Sequence, residues 1–275
     1  MNQKSTPADS SLASDSFAKS LRGFGLLGIL AILVILAGNL VILPLSAVLV
    51  LVWAWLSRTP WREIGYARPR SWAGTLAVGI VFGAAFKFLM KAIVMPLLDA
   101  PPINQAYHFL EGNAAALPWM LYVIIFAAGF GEETVFRGWM FERLGKLFGH
   151  GAWAKTLIVL ITSVWFGLEH YSFQGIPGVQ QATIVGLVFG TTFSITGRLP
   201  MLIIAHAAFD LTALAMIYWG FESDIAHLIF KEAATSFPVE QHSPISVRAE
   251  ASHYQRRLCR LRSFHAVSAA LIGMD

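Results

Sequence analysis

The sequence predicts an all-α, polytopic transmembrane bundle of about seven spans (six to eight), with a polar N-terminal arm and a polar C-terminal tail. Three observations lead there. Hydrophobic residues make up 56% of the 275-residue chain and charged residues only 13%, about half the charged share of an ordinary soluble domain. Apolar runs recur at lengths near the ~20 residues that cross a bilayer as helix. Between them, Lys and Arg collect in some loops and are missing from others, as cytoplasmic and outer loops require.

Residues 1–22 form the arm, rich in Ser, with Lys4, Lys19 and Arg22 ahead of the first apolar run. That run continues from Gly23 to Leu56, too long for the apolar core of a signal peptide. Asn39 and Pro44 interrupt it, so a tight hairpin of two spans is expected. Arg58, Arg62, Arg68 and Arg70 follow, which puts both hairpin ends and the arm on the cytoplasmic side. The third span runs from Trp72 to Leu98 and carries Lys87 and Lys91, read as snorkelling or carboxylate-paired lysines. The loop 99–118 lacks Lys and Arg and is assigned to the outer side.

The fourth span begins near Trp119 and continues as helix through Arg137 to Leu147. Lys155 to His170 is the fifth, Ala182 to Thr196 the sixth, and Met201 to Trp219 the seventh. The bundle is therefore residues 23–220, with its chemically distinctive part at 119–219. Residues 221–275 form a weakly ordered tail, with a short interfacial helix at Ser223–Ala234. Seven spans leave this tail outside, although Arg248, Arg256, Arg257, Arg260 and Arg262 favour the cytoplasm.

Several function classes fall away. The net charge of +4 is spread over loops rather than gathered into a nucleic-acid stripe. Cys259 is the single cysteine, which excludes an intramolecular disulfide framework. No Gly-rich phosphate loop, paired-cysteine metal site or His-Glu-x-x-His pattern occurs.

What remains is a set of charged and imidazole groups inside apolar helices. Each ionised carboxylate there costs at least ~2.5–3.5 kcal/mol on insertion scales unless it faces a partner or a wet cavity. Glu133 and Arg137 are four apart on one helix face, in the favourable order for pairing. Glu132 is turned about 100° away, free to act as a general base. Taken alone, the three also read as an ion pair at a helix end, and His170 as an interfacial histidine. Counted from His150, Glu132 lies 18 residues back and His170 lies 20 forward, so an antiparallel hairpin brings them to similar depth. His206 and Asp210 share a face, with Ala205, Ala207 and Ala208 beside them permitting close helix approach. His206 sits only about eight residues beyond the turn at Arg198, shallower than His170 on straight helices. A break, tilt or late start in the last three spans is therefore expected.

The blocks Glu132-Glu133-Thr-Val-Phe-Arg137, Phe166-Gly-Leu-Glu-His170 and His206-Ala-Ala-Phe-Asp210, in this order on consecutive spans, resemble the CPBP family. That family comprises type II CAAX prenyl endopeptidases and bacteriocin-processing or immunity proteins. Its third block commonly ends in Asn, where this chain has Asp210. The resemblance implies an intramembrane endopeptidase, multi-pass in a bacterial plasma membrane, acting on a membrane-associated or lipidated peptide. By the same resemblance Glu132 and His170 activate a water, and His206 with residue 210 stabilises the oxyanion. Glu133, Arg137 and Phe166 support the site. An ionised Asp210 cannot donate a hydrogen bond as Asn does, so it either carries a proton or orients His206. No cofactor is expected to be obligatory; if zinc is used, Glu132, His170 and His206 are its ligands. The alternative is a non-proteolytic membrane protein of the immunity, chaperone or transport class, since buried carboxylates and histidines also build proton relays.

Overall fold

The computed structural model describes residues 7–230, and every regular element among them is helical. Five helices are long and apolar enough to cross a membrane, six if the bent pair Asp15–Arg22 and Leu26–Leu40 counts as one. The expected count of about seven exceeds this. The reason lies in the N-terminal hairpin, whose arms α2 (Leu26–Ala37) and α3 (Leu45–Leu56) are 12 residues each. At ~1.5 Å per residue neither spans the ~30 Å hydrocarbon core alone. The hairpin itself forms as expected. Asn39 and Ser46 close its tip, each backbone N–H donating to the other's side-chain oxygen at 2.9 Å. The arm contributes α1 (Pro7–Arg22). The arginine-rich tail and residues 231–234 of the expected interfacial helix lie outside the described residues; Glu222–Ala226 forms a short α9, and the helix stops there rather than running on.

The long helices are α4 (Trp72–Leu97), α5 (Ala114–Phe148), α6 (Ala152–Glu169), α7 (Tyr171–Thr196) and α8 (Leu199–Tyr218). Apolar side chains such as Val78, Val81, Leu160 and Val164 face outward from them, the inverse of a soluble protein. Small residues let the backbones close up, as packing in lipid demands. A Cβ on Gly83 of α4 would overlap the Ala205 carbonyl of α8, and one on Gly79 would press Ile204 at 2.7 Å. Gly129 of α5 meets Ala207 from the other side. Helix α8 is thus held between α4 and α5 along the stretch that carries His206.

Basic residues gather at one end of the bundle. Arg143 Nη1 donates to the Arg22 carbonyl at 2.8 Å, Arg58 pairs with Asp15, and Leu199 N–H donates to Gly65 O at 2.9 Å. The opposite end is closed by loop 99–113. Lys91 there pairs with Glu222 at 2.8 Å and donates to Pro102 O at 2.6 Å, while Asn104 N–H reaches the same carboxylate at 3.3 Å.

Two irregularities reconcile the depths of the three reactive blocks. Gly175, at φ 63° and ψ −156°, breaks the start of α7 just after His170; this left-handed backbone suits glycine alone. The second is the start of α8. Leu199 hangs from Gly65, and a Cβ on Gly138 would lie 2.9 Å from Ile64 O and 3.0 Å from Leu199. The turn into α8 therefore sits level with Gly138, ten residues before the end of α5. That lifts His206 to the height of Glu132 and Glu133. Of the expected break, tilt or late start, the break is present at Gly175, and loop 57–71 packs against the beginning of α8.

Candidate active site

Glu132, Glu133 and Arg137 lie in the part of α5 (Val123–Trp139) that is wound as π-helix, a winding that recurs at functional sites. The i,i+4 pair forms even so: Arg137 Nη1 donates to Glu133 Oε1 at 2.8 Å, with both side chains fully buried. The guanidinium lies 4.6 Å from the Phe166 ring centre and 5.7 Å from that of Phe189, distances typical of cation–π contact.

The same carboxylate oxygen receives His206 Nδ1 at 2.7 Å. Glu133 therefore links the fourth-span motif to α8 and fixes the imidazole ring. The two phenylalanines that flank Arg137 also stand edge-on to this ring, Phe189 at 5.6 Å and Phe166 at 6.0 Å. With Nδ1 committed, Nε2 faces outward between Glu132 Oε2 at 3.6 Å and Asp210 Oδ2 at 3.7 Å. Both gaps are wider than a direct hydrogen bond. Glu132 and Asp210 retain 29% exposure of their side chains, whereas Glu133 has none. One glutamate is enclosed, and its neighbour keeps part of its surface open.

His170 caps the end of α6, its Nδ1 2.8 Å from the Phe166 carbonyl. A carbonyl only accepts, so Nδ1 carries the proton and Nε2 keeps a lone pair in the neutral ring. The Phe166 ring packs edge-on to His170 at 4.8 Å, making this one side chain the common wall of both histidines and Arg137. His170 lies within electrostatic reach of Glu132. Glu169 points aside and accepts from Trp165 Nε1 at 2.8 Å, a rim position.

The structure also brings in groups that sequence reading passed over. Phe189 of α7 completes the aromatic enclosure. Tyr107, from loop 99–113, packs edge-on to Phe173 at 5.1 Å. Burial, and then the carboxylates of Asp210 and Glu132, push its phenol well above the usual range. Tyr66 bonds the Thr134 hydroxyl at 2.6 Å, and burial pushes it up to about 12. No sequence motif marks these three residues; apolar helix and polar loop surround them alike. Lys87, which the sequence did single out, donates to Gln181 Oε1 at 2.9 Å inside the bundle.

The residues proposed for zinc can be tested by geometry. Among the described residues no three His, Cys, Asp or Glu side chains are grouped to hold one metal ion. His206 Nδ1 bonds Glu133 and His170 Nδ1 bonds the Phe166 carbonyl, which leaves Nε2 as the open nitrogen of each ring. As placed, these groups do not bring three ligands to one point, and no step is derived through an ion.

Against this geometry, residues 114–212 match the family model described as "Rce1-like: Type II CAAX prenyl endopeptidase Rce1-like". The matched segment contains all seven residues from Glu132 to Asp210 singled out in the sequence, and it agrees with the CPBP resemblance. The matched segment takes in the second to fourth of the five long apolar helices and most of the fifth, each long and apolar enough to cross a membrane. No curated protein matches the chain, and no solved structure does.

Proposed function

From the Rce1-like segment at 114–212, we propose that the chain is an intramembrane endopeptidase hydrolysing a peptide bond of a membrane-associated or lipidated substrate. The reading rests on His206. Its Nδ1 is held by Glu133 at 2.7 Å, and its Nε2 faces two carboxylates across gaps of 3.6 and 3.7 Å.

Glu132 acts as the general base. It takes a proton from a water that it shares with His170, whose Nε2 lone pair accepts the second water hydrogen as a hydrogen bond. The water oxygen bonds to the scissile carbonyl carbon, and the carbonyl electron pair moves onto oxygen. His206, protonated on both nitrogens, donates from Nε2 to that oxyanion. Asp210 faces Nε2 as a carboxylate and steadies the charged ring. When the tetrahedral centre collapses, the C–N bond breaks and the proton held on Glu132 passes to the leaving nitrogen. Glu133 and Arg137 hold the ring without touching substrate.

No metal is obligatory in this reading, because Glu132 itself serves as the base that activates the water. Finding one equivalent of zinc by elemental analysis, lost together with activity, would overturn that part. The basic end carrying Arg22, Arg58 and Arg143 is cytoplasmic, and so is the N-terminus. Cleavage of a membrane-anchored peptide in proteoliposomes is the direct test: Glu132→Gln and His170→Ala each abolish it. Undiminished cleavage by both variants refutes the assigned roles.

A further inference from the structure

Among the described residues the buried acidic and basic side chains pair off with one exception. Glu133 is matched by Arg137, Glu222 by Lys91, and Glu142 by Arg143 and Lys146. Two part-exposed carboxylates, Glu132 and Asp210, face the His206 imidazole, both on its Nε2 side. The exception is an enclosed cation. Lys87 is 7% exposed, its ammonium group bonds a neutral amide oxygen at 2.9 Å, and it lies 4.8 Å from the centre of the Phe209 ring.

We propose that Lys87 is the counter-charge of Asp210: from α4, its ammonium group offsets and positions the carboxylate that stands beside His206 Nε2. An ammonium served only by an amide and a ring is strongly disfavoured in an apolar interior. The charged groups within its reach are Lys91, Asp210 and Glu222. Lys91 repels it, and Glu222 is already bound to Lys91 at 2.8 Å. Of these, Asp210 is the anion with no lysine or arginine bound to it. It directly follows Phe209, the ring against which Lys87 packs, so a shift of the lysine is felt at the next residue of α8. Gln181 of α7 aims the ammonium group from the other side. The close contact of Gly83 with Ala205, one turn before Lys87, fixes the height of α4 against α8. Lys87 touches none of the groups that meet substrate in the reaction above, so it is a positioning residue.

The experiment is a double-mutant cycle on the full-length protein in detergent, with Lys87→Met, Asp210→Asn and the double variant. Thermal unfolding reads the pairing without reference to any activity. Lys87→Met lowers the midpoint in the wild-type background and lowers it by less than half as much in the Asp210→Asn background. Equal losses in both backgrounds overturn the pairing. Should Lys87→Met fail to fold, recovery of folding in the double variant supports the pairing, and failure to recover overturns it.

A second readout rests on the peptidase reading. Lys87→Met lowers kcat/KM about tenfold, the size of a typical coupling between neighbouring sites, and Lys87→Arg restores most of it. Lys87→Met then adds no further loss to Asp210→Asn. A full additional loss in that background refutes a role through Asp210. If the unfolding cycle shows coupling while the wild-type protein cleaves no membrane-anchored peptide, the pairing stands and the peptidase reading falls.

Discussion

Glu133 Oε1 accepts His206 Nδ1 at 2.7 Å while also accepting Arg137 Nη1 at 2.8 Å. A single buried oxygen thus ties α5 to α8, and the aromatic rings of Phe166 and Phe189 close over the knot. Removing that carboxylate strands a guanidinium in the membrane interior. Glu133→Ala is expected to cost about 3–5 kcal/mol, the usual result of breaking a buried ion pair from one side. Chemical unfolding in detergent measures it, and a cost under about 1 kcal/mol would refute the account.

The adjacent glutamate behaves differently. Glu132 has no direct hydrogen-bond partner among the described residues and keeps 29% side-chain exposure. Glu132→Gln should leave the unfolding midpoint nearly unchanged and lower peptide cleavage by at least about a hundredfold, the low end for loss of a general base. Similar stability losses for the two glutamates would contradict the division of labour.

Gly83 has no room for a side chain against the Ala205 carbonyl. Gly83→Val forces α4 away from α8 and is expected to destabilise by about 1–3 kcal/mol through overpacking. Because Lys87 and His206 ride on the two separated helices, cleavage activity should fall together with stability. A stable, active Gly83→Val variant would show that this contact does not set helix spacing.

Loop 99–113 is clamped by a buried ion pair. Lys91→Met leaves Glu222 without its cation and releases Pro102 O. Hydrogen exchange across residues 99–113 should then accelerate, with the small core around Leu110, Met120 and Ile217 opening first. Unchanged exchange in that loop would exclude the clamp.

Alkaline pH offers a further check. Tyr66 is raised from its ordinary value of 10.0 to about 12, and Tyr107 is raised as well, chiefly by burial. A tyrosine whose folded pKa lies above its unfolded value contributes stability that is complete below pH 10. This stability is lost as pH climbs toward 12. Absorbance titration should show both phenols ionising after the exposed tyrosines, and Tyr66→Phe should remove one late step. Ionisation of all six tyrosines together near their ordinary value would refute this.

The sequence revealed the site more fully than it revealed the bundle. Carboxylates and imidazoles inside apolar helices are conspicuous because hydrocarbon penalises them, so Glu132, Glu133, Arg137, His170, His206 and Asp210 stand out by chemistry alone. The spacing of Glu132 and His170 about His150 also predicts their common depth. Two things were not legible. Apolar composition fixes neither the length of a helix nor its winding, so the hairpin arms read as full spans and the π-wound part of α5 read as α-helix. Partners arriving from distant helices carry no local mark, which is why Phe189, Tyr107 and the Lys87–Gln181 bond appear only once the helices are packed.

The raised start of α8 has one more consequence. Leu199 is suspended from Gly65, so the height of His206 against Glu133 is dictated by loop 57–71, a segment that supplies no reactive group. Deleting or inserting a single amino acid in 57–71 would transmit itself upward as a vertical slip of the imidazole. Tolerance to indels, normally generous in loops, should be nearly nil here.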